Sequence, residues 1–520
     1  MNRYQPIGMR RFLDRACARH AGSVFLHFRG AEWTYAQLGE ATDAAAAGLR
    51  ELGLGRGARV AMLLPTGPDH VFAWLAVVKA GAVATPIHTD LSPAEVAAVL
   101  DHLEPAALIH DRALAGKLTA VGPDAIRLRI EARDGAVPDP PLPPPAARLS
   151  ELLSSRRALE GVEEPGPDEI AEILTTSGTS GWPKATMIPH RMPVLTGEAF
   201  AHWLGLGSKD RLFTCLPMSH INARHYSCLG AIAAGASLAL EERFSASRFW
   251  GWLAASGATQ FNAIGAMLRI LLERPEMPAD RAHRVRLVYA APALGSEAHV
   301  AFERRFGARL VIGYGLTEST FGFIHSLSGP RNLDGMGRPR RHPDLSVAAD
   351  ARLVVEDARS KTWRDAAPQE TGEIWLRNPA TFTGYYRDAA ATAAAFSDGW
   401  LRTGDLARRD EQGEYVFAGR LKQVIRRRGE NLTPAEVEAV IEAHPAVLEA
   451  AVIGVPSPLG EDDVRACVAL RPGATAIPED LAAFCAERLA AFKVPTQWRF
   501  LDRLPRTPTQ RVAYPLLPRD

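Results

Sequence analysis

The chain reads TTSGTSGWPK from Thr175 to Lys184, directly after the short apolar pair Ile173 and Leu174. Hydroxyls and glycine backbone N–H groups can line a concave site for an anion, and the lysine adds a full positive charge. The spacing differs from that of a Walker A loop, which has four residues between its glycines and a Ser or Thr directly after its lysine. A phosphate-binding loop is therefore the working hypothesis, and a polar turn between two strands is the alternative.

The composition is that of an ordinary globular protein with balanced charge. The 520 residues include 60 basic and 59 acidic side chains. Because the sequence contains no basic stripe, nucleic acid is not expected as a partner. The 5 cysteines are scattered without a C-x-x-C pair, which favours a reducing cytoplasm over a disulfide framework or a zinc site. No signal peptide is recognisable at the N-terminus, and the apolar stretch at 71–87 is too short to span a bilayer, so no membrane partner is expected.

Helix and strand patterns alternate through most of the chain, which predicts an α/β fold. Helices are predicted at 35–52, 71–80 and 93–103, and apolar strands at 59–64, 83–87 and 106–110. Apolar strands in such alternation predict a parallel sheet covered on both faces. The proline-rich stretch at 137–145 predicts an exposed connection. The alternation resumes at 211–239 and continues to a strand at 309–312, which predicts a second sheet-and-helix subdomain.

The pattern changes near residue 353. Short strands at 353–355, 372–376 and 415–417 are separated by Gly and Asp turns, which predicts a small antiparallel β region. Beyond it, helices at 434–443 and 478–489 alternate with strands at 447–455, 465–470 and 497–501. We therefore predict a large N-terminal domain at 1–420, with two α/β subdomains and the small β region, and a small mobile α+β C-terminal domain at 421–520.

Further motifs carry polar groups that suit a nucleotide. YGLTE at 314–318 follows a predicted strand and offers a ring for a base, a hydroxyl for a phosphate and a carboxylate for Mg²⁺. TGDL at 403–406 places an acid on a tight turn, which suits a ribose diol, and Gly419-Arg420 follows. Taken singly, each motif has a simpler explanation as a turn, a core residue or a solvated side chain.

Taken in order, TSGTSGWPK, YGLTE, TGD, GR-x-K and GEN-x-x-P-x-E-V-E resemble the ANL superfamily of adenylate-forming enzymes over nearly the whole chain. That superfamily includes acyl-CoA and aryl-CoA synthetases, adenylation domains and luciferases. PMSHIN at 217–222, FSASRFW at 244–250 and RRGEN at 427–431 look most like the crotonobetaine/carnitine-CoA ligase-like branch. The resemblance implies that a carboxylic acid reacts with Mg·ATP to give acyl-AMP and pyrophosphate. A nucleophile such as the thiol of CoA then displaces AMP, and the C-terminal domain rotates between the two steps.

The resemblance also implies the ATP-binding residues. The phosphates would contact Thr175, Thr176, Ser177, Gly178, Thr179, Ser180, Gly181, Lys184 and Thr317. Mg²⁺ would be held by Glu318 and Thr179. The adenine would lie against Tyr314 and Gly315, beside the backbone of Ala290, Ala291 and Pro292. Asp405 would accept hydrogen bonds from both ribose hydroxyls, and Arg420 would bind the ribose or the α-phosphate.

The acid pocket and the hinge follow from the same resemblance. His220 would lie near the reacting carboxylate, although a core histidine is the alternative, and Lys422 would be the hinge residue. The pocket would include His220, Asn222, Asn262, Gly265 and Phe321. Further candidate walls are His202, Trp203, Arg224, Tyr226, Ile264 and Phe323. This mix of aromatic and polar side chains favours a small functionalised acid or an aryl acid over a long alkyl chain. The predicted catalytic set is Lys184, Thr317, Glu318, Arg420, Arg511 and His220.

One position departs from the superfamily pattern. The late motif usually ends in Gly-Lys, whereas this chain has Gln510-Arg511, and no lysine follows Lys493. Arginine keeps the positive charge but is planar and longer, so it does not replace an ammonium group directly. Three explanations stay open: Arg511 substitutes for the lysine, the acid or the acceptor is unusual, or adenylation is impaired.

Three functions are therefore compared. The first is an acid–CoA ligase that uses ATP, Mg²⁺ and CoA. The second adenylates a different oxyacid or serves a different acceptor, as in nitrite-dependent diazotisation of an aryl amine or the loading of a carrier protein in a bacterial biosynthetic pathway. The third is a non-enzymatic binder, which the intact Thr179, Lys184, Glu318 and Asp405 argue against. A homodimer and a monomer are both compatible with the sequence.

Overall fold

The computed structural model describes residues 5–122, 125–132, 146–176, 184–342, 349–357, 362–427, 430–456, 462–491, 493–507 and 511–519. The chain divides into two compact units, which are described separately. The first unit comprises Met1–Asp350 with Arg377–Ala394, and the second comprises Ala351–Leu376 with Ala395–Asp520. The proline-rich stretch at 137–145 lies outside the described residues. Within the described part, no helix has the length and apolarity that crossing a membrane requires.

The strands, numbered in chain order, are β1 (Val24–Phe28), β2 (Ala31–Thr34), β3 (Arg59–Leu63), β4 (Val83–Pro86), β5 (Ala107–Asp111), β6 (Arg129–Ala132), β7 (Ala147–Arg148), β8 (Ile170–Thr176), β9 (Lys184–Pro189), β10 (Arg211–Thr214), β11 (Ser237–Leu240), β12 (Gln260–Ile264), β13 (Leu287–Ala291), β14 (Arg309–Tyr314), β15 (Phe323–Ile324), β16 (Arg338–Pro339), β17 (Asp350–Glu356), β18 (Trp363–Asp365), β19 (Gly372–Arg377), β20 (Gly384–Tyr385), β21 (Phe396–Ser397), β22 (Trp400–Arg409), β23 (Tyr415–Arg420), β24 (Ile425–Arg427), β25 (Glu430–Leu432), β26 (Val447–Pro456), β27 (Asp462–Leu470) and β28 (Gln497–Phe500).

The α-helices are α1 (Met9–Arg19), α2 (Tyr35–Glu51), α3 (Pro68–Lys79), α4 (Pro93–Leu103), α5 (Leu149–Ser154), α6 (Arg191–Trp203), α7 (Leu229–Ala234), α8 (Phe249–Ser256), α9 (Gly265–Glu273), α10 (Ser296–Phe306), α11 (Ala389–Ala395), α12 (Pro434–Glu442) and α13 (Pro478–Ala486). Short 3₁₀ helices lie at Arg112–Leu118, Pro278–Arg281, Leu421–Gln423 and Tyr514–Leu516, and a π-helix lies at Asn222–Cys228.

Two sheets with parallel centres organise the first unit, as the alternating pattern predicts. A nine-stranded sheet has the order β16-β15-β14-β13-β12-β10-β11-β1-β2, and its strands from β14 to β1 run parallel. An eight-stranded sheet has the order β20-β9-β8-β4-β3-β5-β6-β7. One hydrophobic core contains buried side chains of both sheets, such as Met62 and Phe261, together with Trp74 of α3. The α/β prediction is therefore confirmed.

Local sequence signals explain where the predicted helices begin. Thr34 caps α2 by accepting from the backbone N–H of Gln37, whose side chain accepts in return from the N–H of Thr34. Ser92 and Glu95 form the same reciprocal pair at the start of α4, where Pro93 takes the first helical position. Such pairs satisfy backbone donors that a helix start leaves without intrahelical partners.

A buried charged group joins the two sheets of the first unit. Glu172 of β8 receives a hydrogen bond from Trp74 Nε1 at 2.7 Å, and Arg224 and His225 of the π-helix approach its Oε2, each at 3.1 Å. Glu172, Trp74, Arg224 and His225 are all 0% exposed. Burial alone would raise the pKa of Glu172, but the positive charge of Arg224 and the interaction with His225 lower it to about 2. The π-helix is thus held to the second sheet by a paired charge.

The second unit contains an antiparallel sheet and a smaller mixed sheet that is covered by helices. One sheet has the order β18-β17-β19-β22-β21, with β23 also paired to β22. Strands β26, β27 and β28 form another, and α12 and α13 pack on a core that includes Val437, Leu481 and Val468. The two units are defined by how compactly their residues pack and not by any observed movement. A mobile domain at 421–520 therefore stays a prediction.

We expect Glu172→Ala to lower the free energy of unfolding by about 3–5 kcal/mol, because it leaves the Arg224 guanidinium buried without its carboxylate. Urea unfolding, followed by tryptophan fluorescence, measures the change. Glu160→Ala, which removes an exposed carboxylate, is the matched control and should change stability by less than about 0.5 kcal/mol. Equal losses in the two variants would contradict a supporting role for the charged group.

Candidate functional site

The phosphate-loop candidate lies between two antiparallel strands of the first unit. Strand β8 ends at Thr176 and β9 begins at Lys184, and these two residues are paired in register, as are Thr175 and Ala185. The intervening candidates, Ser177, Gly178, Thr179, Ser180 and Gly181, lie outside the described residues. The described ends of the segment are therefore those of a β-hairpin.

A lysine, a tyrosine and a glutamate meet at the Lys184 end of this hairpin. Lys184 Nζ lies 4.2 Å from the centroid of the Tyr385 ring, within range of a cation–π contact. The Tyr385 hydroxyl donates to Glu318 Oε1 at 2.8 Å. Strand β20 brings Tyr385 to this position, because Tyr385 is paired with Thr186 of β9. Burial and the negative charge of Glu318 both raise the pKa of Tyr385, so the phenol stays protonated and keeps donating.

The residues that are predicted to contact the adenine lie at the carboxyl ends of two neighbouring strands of the nine-stranded sheet. Strands β13 and β14 are parallel neighbours, so Ala291 and Tyr314 both stand at carboxyl ends, and Pro292 follows through a cis peptide bond. The Tyr314 ring packs against Phe323 with centroids 5.4 Å apart. Gly315 fits closely here, because an added Cβ would lie 2.9 Å from the Tyr226 hydroxyl. Open crevices at carboxyl ends of parallel strands are frequent ligand sites.

The turn after Tyr314 presents Glu318. The N–H of Leu316 donates to Ser319 O at 2.8 Å, and the N–H of Phe382 donates to Glu318 O at 2.9 Å. Thr317 lies between these contacts and is partly buried. Glu318 and Thr317, which carry the candidate carboxylate and hydroxyl of YGLTE, are thus on one turn, and Glu318 contacts Tyr385.

Several predicted acid-pocket residues of the first unit make pairwise contacts. Asn262 Nδ2 donates to Asn222 Oδ1 at 2.7 Å, and the Phe321 and Trp203 rings lie 5.1 Å apart. Gly265 begins α9, directly after β12. His220 precedes the π-helix, and its ring lies 5.1 Å from that of His88.

Arg224 is a correction to the candidate pocket walls. Its side chain is fully buried against Glu172 and Trp74 instead of lining the pocket. No local pattern predicts this contact, because the acidic partner lies 52 positions earlier, on β8 of the eight-stranded sheet.

The second unit holds the predicted ribose residues. Asp405 and Arg420 are directly opposite each other on β22 and β23, and Arg420 Nε lies 3.1 Å from Asp405 Oδ1. Gly404 has a φ of 70°, which favours glycine, and its N–H donates to Glu373 Oε1 at 3.0 Å. The Asp405 N–H donates to Thr403 Oγ1 at 3.1 Å. The predicted tight turn at TGD is wrong, because these residues lie within strand β22, and strand pairing sets the acid beside its arginine.

The late C-terminal motif is described in part. Arg511 is exposed, and its backbone exchanges hydrogen bonds with Thr507: Thr507 N–H donates to Arg511 O at 2.8 Å, and Arg511 N–H donates to Thr507 Oγ1 at 3.2 Å. Gln510 lies outside the described residues. The Lys422 backbone lies in the 3₁₀ turn Leu421–Gln423, but its side chain is not among the described ones. Lys493 is ion-paired with Glu436 at 2.5 Å.

Two supporting residues escaped the sequence analysis. Tyr385 contacts both Lys184 and Glu318, although it lies 67 positions after Glu318. Glu373 accepts from the Gly404 N–H of the TGD motif and also from Trp375 Nε1 at 2.9 Å. The short sequence segments GYY at 384–386 and GEIW at 372–375 contain these two residues. Neither segment indicates which distant residues its side chains contact.

The chain matches two protein-family models. Residues 13–386 match the AMP-binding enzyme model, and residues 436–511 match the AMP-binding enzyme C-terminal domain model. The sulfoacetate–CoA ligase of Cupriavidus necator is 33% identical over 480 residues, which cover 91% of this chain and 90% of that protein. The crotonobetaine/carnitine–CoA ligase of Salmonella paratyphi A is 31% identical over 489 residues, with 91% of each covered.

A solved structure is similar over the full length. A benzoate CoA ligase from Burkholderia xenovorans LB400 superposes with a TM-score of 0.86 at 26% identity, covering 99% of this chain and 100% of that one. The relatives thus agree on joining an acid to CoA and differ in the acid.

Proposed function

Because the chain belongs to the AMP-binding enzyme family, within the ANL superfamily of adenylate-forming enzymes, we propose that it activates a small functionalised acid as an acyl-adenylate and transfers it to CoA. The chain is an ATP-dependent, AMP-forming ligase of the acid–CoA type. We propose the class of acid, the order of the two steps and the role of each residue. The observation that carries it is the contact of Tyr385 with both Lys184 and Glu318 beside the β8–β9 hairpin.

Charge neutralisation is the main demand of the first step, because a carboxylate must attack the α-phosphate of an anionic nucleotide. Lys184 supplies one positive charge at the start of β9, close to the hairpin that would grip the leaving pyrophosphate. Asp405 is proposed to accept from the ribose hydroxyls, and Arg420, already paired with it, to reach the ribose or the α-phosphate. Tyr314 provides a ring for the adenine.

The residues present fit Mg²⁺ as a cofactor. Among the described residues, no group of three or more His, Cys, Asp or Glu could form a closed metal site. Magnesium is commonly bound by one or two carboxylates together with substrate phosphates and water, so Glu318 alone is a sufficient protein anchor. When bound, the ion would offset phosphate charge. The Tyr385 hydroxyl donates to Glu318 Oε1, so the carboxylate that would hold the ion is already oriented.

The acid is proposed to be small and to carry polar groups. The pocket candidates include the aromatic pair Trp203 and Phe321 and the amides of Asn222 and Asn262. The relatives that act on sulfoacetate and on crotonobetaine or carnitine support a short functionalised acid, whereas the benzoate CoA ligase supports an aryl acid.

A substrate panel tests the proposed function. Pyrophosphate release is measured with aryl, alkyl, sulfonated and betaine acids, and with nitrite plus an aryl amine, each with and without CoA. We expect acid-dependent pyrophosphate release and a CoA thioester with at least one acid. Release that requires nitrite and the amine, or AMP formation that never yields a thioester, would contradict the CoA-ligase proposal.

We expect Tyr385→Phe to raise the Mg²⁺ concentration for half-maximal pyrophosphate release by about 10-fold, because loss of an outer hydrogen bond to a metal ligand typically weakens metal binding 10- to 100-fold. The ring that faces Lys184 is kept. Tyr386→Phe removes the neighbouring hydroxyl and is the matched control. An unchanged Mg²⁺ requirement in Tyr385→Phe would contradict the orienting role of the hydroxyl.

We expect Arg511→Ala to slow acyl-adenylate formation by about 100-fold, the usual effect of removing one charged or hydrogen-bonding group that stabilises a transition state. Arg511→Lys should retain most of the activity. Arg503→Ala, an exposed arginine eight positions earlier, is the control. Thioester formation from supplied acyl-adenylate separates the two steps. If Arg511→Ala keeps full adenylation activity, Arg511 does not replace the usual lysine.

A further inference from the structure

Three amide side chains of the first unit form one hydrogen-bonded series. Gln260 Nε2 donates to Asn262 Oδ1 at 2.6 Å, and Asn262 Nδ2 donates to Asn222 Oδ1 at 2.7 Å. Gln260 is 0% exposed, Asn262 is 1% exposed and Asn222 is partly exposed. The amide series (Gln260, Asn262, Asn222) therefore leads from the core to an accessible position.

The backbone fixes this arrangement. Gln260 and Asn262 are alternate residues of β12, so their side chains emerge on the same face of the sheet, while Phe261 and Ala263 face the other side. Asn222 is the first residue of the π-helix, which is anchored through Arg224 and His225 to Glu172. Both ends of the series are thus attached to rigid parts of the first unit.

The direction of donation follows from burial. Gln260 Oε1 has no hydrogen-bond partner among the described residues, so one acceptor is left in the core. If the oxygen and nitrogen of all three side-chain amides were exchanged, the Gln260 nitrogen would instead be buried without an acceptor. Unpaired buried N–H groups are rarer in proteins than under-used carbonyl oxygens. The series therefore runs outward, and Asn222 uses its oxygen internally and keeps its Nδ2 for another partner.

Two neighbouring donors already have partners. Asn262 gives one of its two amide hydrogens to Asn222, and the Tyr226 hydroxyl donates to Thr320 O at 2.8 Å. Asn222 Nδ2 is thus an oriented donor at the accessible end of the amide series.

We propose that Asn222 Nδ2 selects acids that carry a second oxygen group, such as a hydroxyl, keto, carboxylate or sulfonate oxygen, remote from the reacting carboxylate. This inference rests on the proposed function and specifies its substrate class. An acid with only alkyl or unsubstituted aryl carbon would leave the Asn222 donor without a partner when it displaces water. A site built to hydrogen-bond a substrate group discriminates strongly against analogues that lack it.

Matched acid pairs test the inference. Pyrophosphate release is measured for butyrate against 4-hydroxybutyrate and succinate, and for benzoate against 3-hydroxybenzoate and 3-sulfobenzoate. We expect the wild-type kcat/KM to favour at least one oxygen-bearing member of a pair by about 10-fold or more, as one hydrogen bond of about 1.4 kcal/mol would give. Asn222→Leu should abolish that ratio, and Asn222→Asp should reverse it for acids with a second negative charge.

Controls separate selectivity from folding. Asn332→Ala removes a partly exposed amide elsewhere in the first unit and should leave the ratio unchanged. Gln260→Met keeps the side-chain volume but removes the donor that orients Asn262, so the ratio should fall while the melting temperature stays within a few degrees. This second variant carries the test if Asn222→Leu does not fold.

The outcomes are distinct for the two proposals. Thioester formation with equal wild-type efficiency for both members of every pair would overturn the role of Asn222 and leave the ligase function in place. A ratio that persists in Asn222→Leu would overturn it as well. Failure of every acid to release pyrophosphate would overturn the proposed function and, with it, this inference.

Discussion

The first unit depends on one requirement, namely that the buried charge of Glu172 be matched. Arg224 of the π-helix supplies the matching charge, His225 of the same helix contacts the same carboxylate oxygen, and Trp74 of α3 donates to the other oxygen. An unpaired ion in such a core would be strongly destabilising, so the charged group fixes where the π-helix lies against β8. The residues that flank this anchor, Asn222 and Tyr226, are positioned as a consequence.

Strand pairing positions the residues that are predicted to bind the nucleotide. In the first unit, β20 adds to the edge of β9 and carries Tyr385 to Lys184 and Glu318, which are distant in sequence. In the second unit, the register of β22 and β23 sets Asp405 opposite Arg420. In both places, pairing between strands holds an ionisable group against a partner, which limits its rotamers before any ligand binds. Such preorganisation is a large part of how enzymes stabilise developing charge.

The sequence predicted the elements well and the contacts poorly. The local residue pattern located α2 and α4 within a few residues, because such a signal is short-range. The ordered motifs led to the family, which the matching family models confirm. The π-helix was missed because its hydrogen-bond pattern has no simple residue signature. Tyr385 and the Glu172 group were missed because long-range pairing, and not composition, gives these side chains their partners.

The π-helix turns consecutive side chains to different neighbours within a single segment. Asn222 faces β12, Arg224 and His225 face β8, and Tyr226 reaches the backbone at Thr320. Under the role proposed for Asn222, substrate choice and structural integrity fall to separate faces of one short helix. Laboratory evolution of the ligase toward new acids can then vary position 222 and leave the ionic anchor two residues away unchanged.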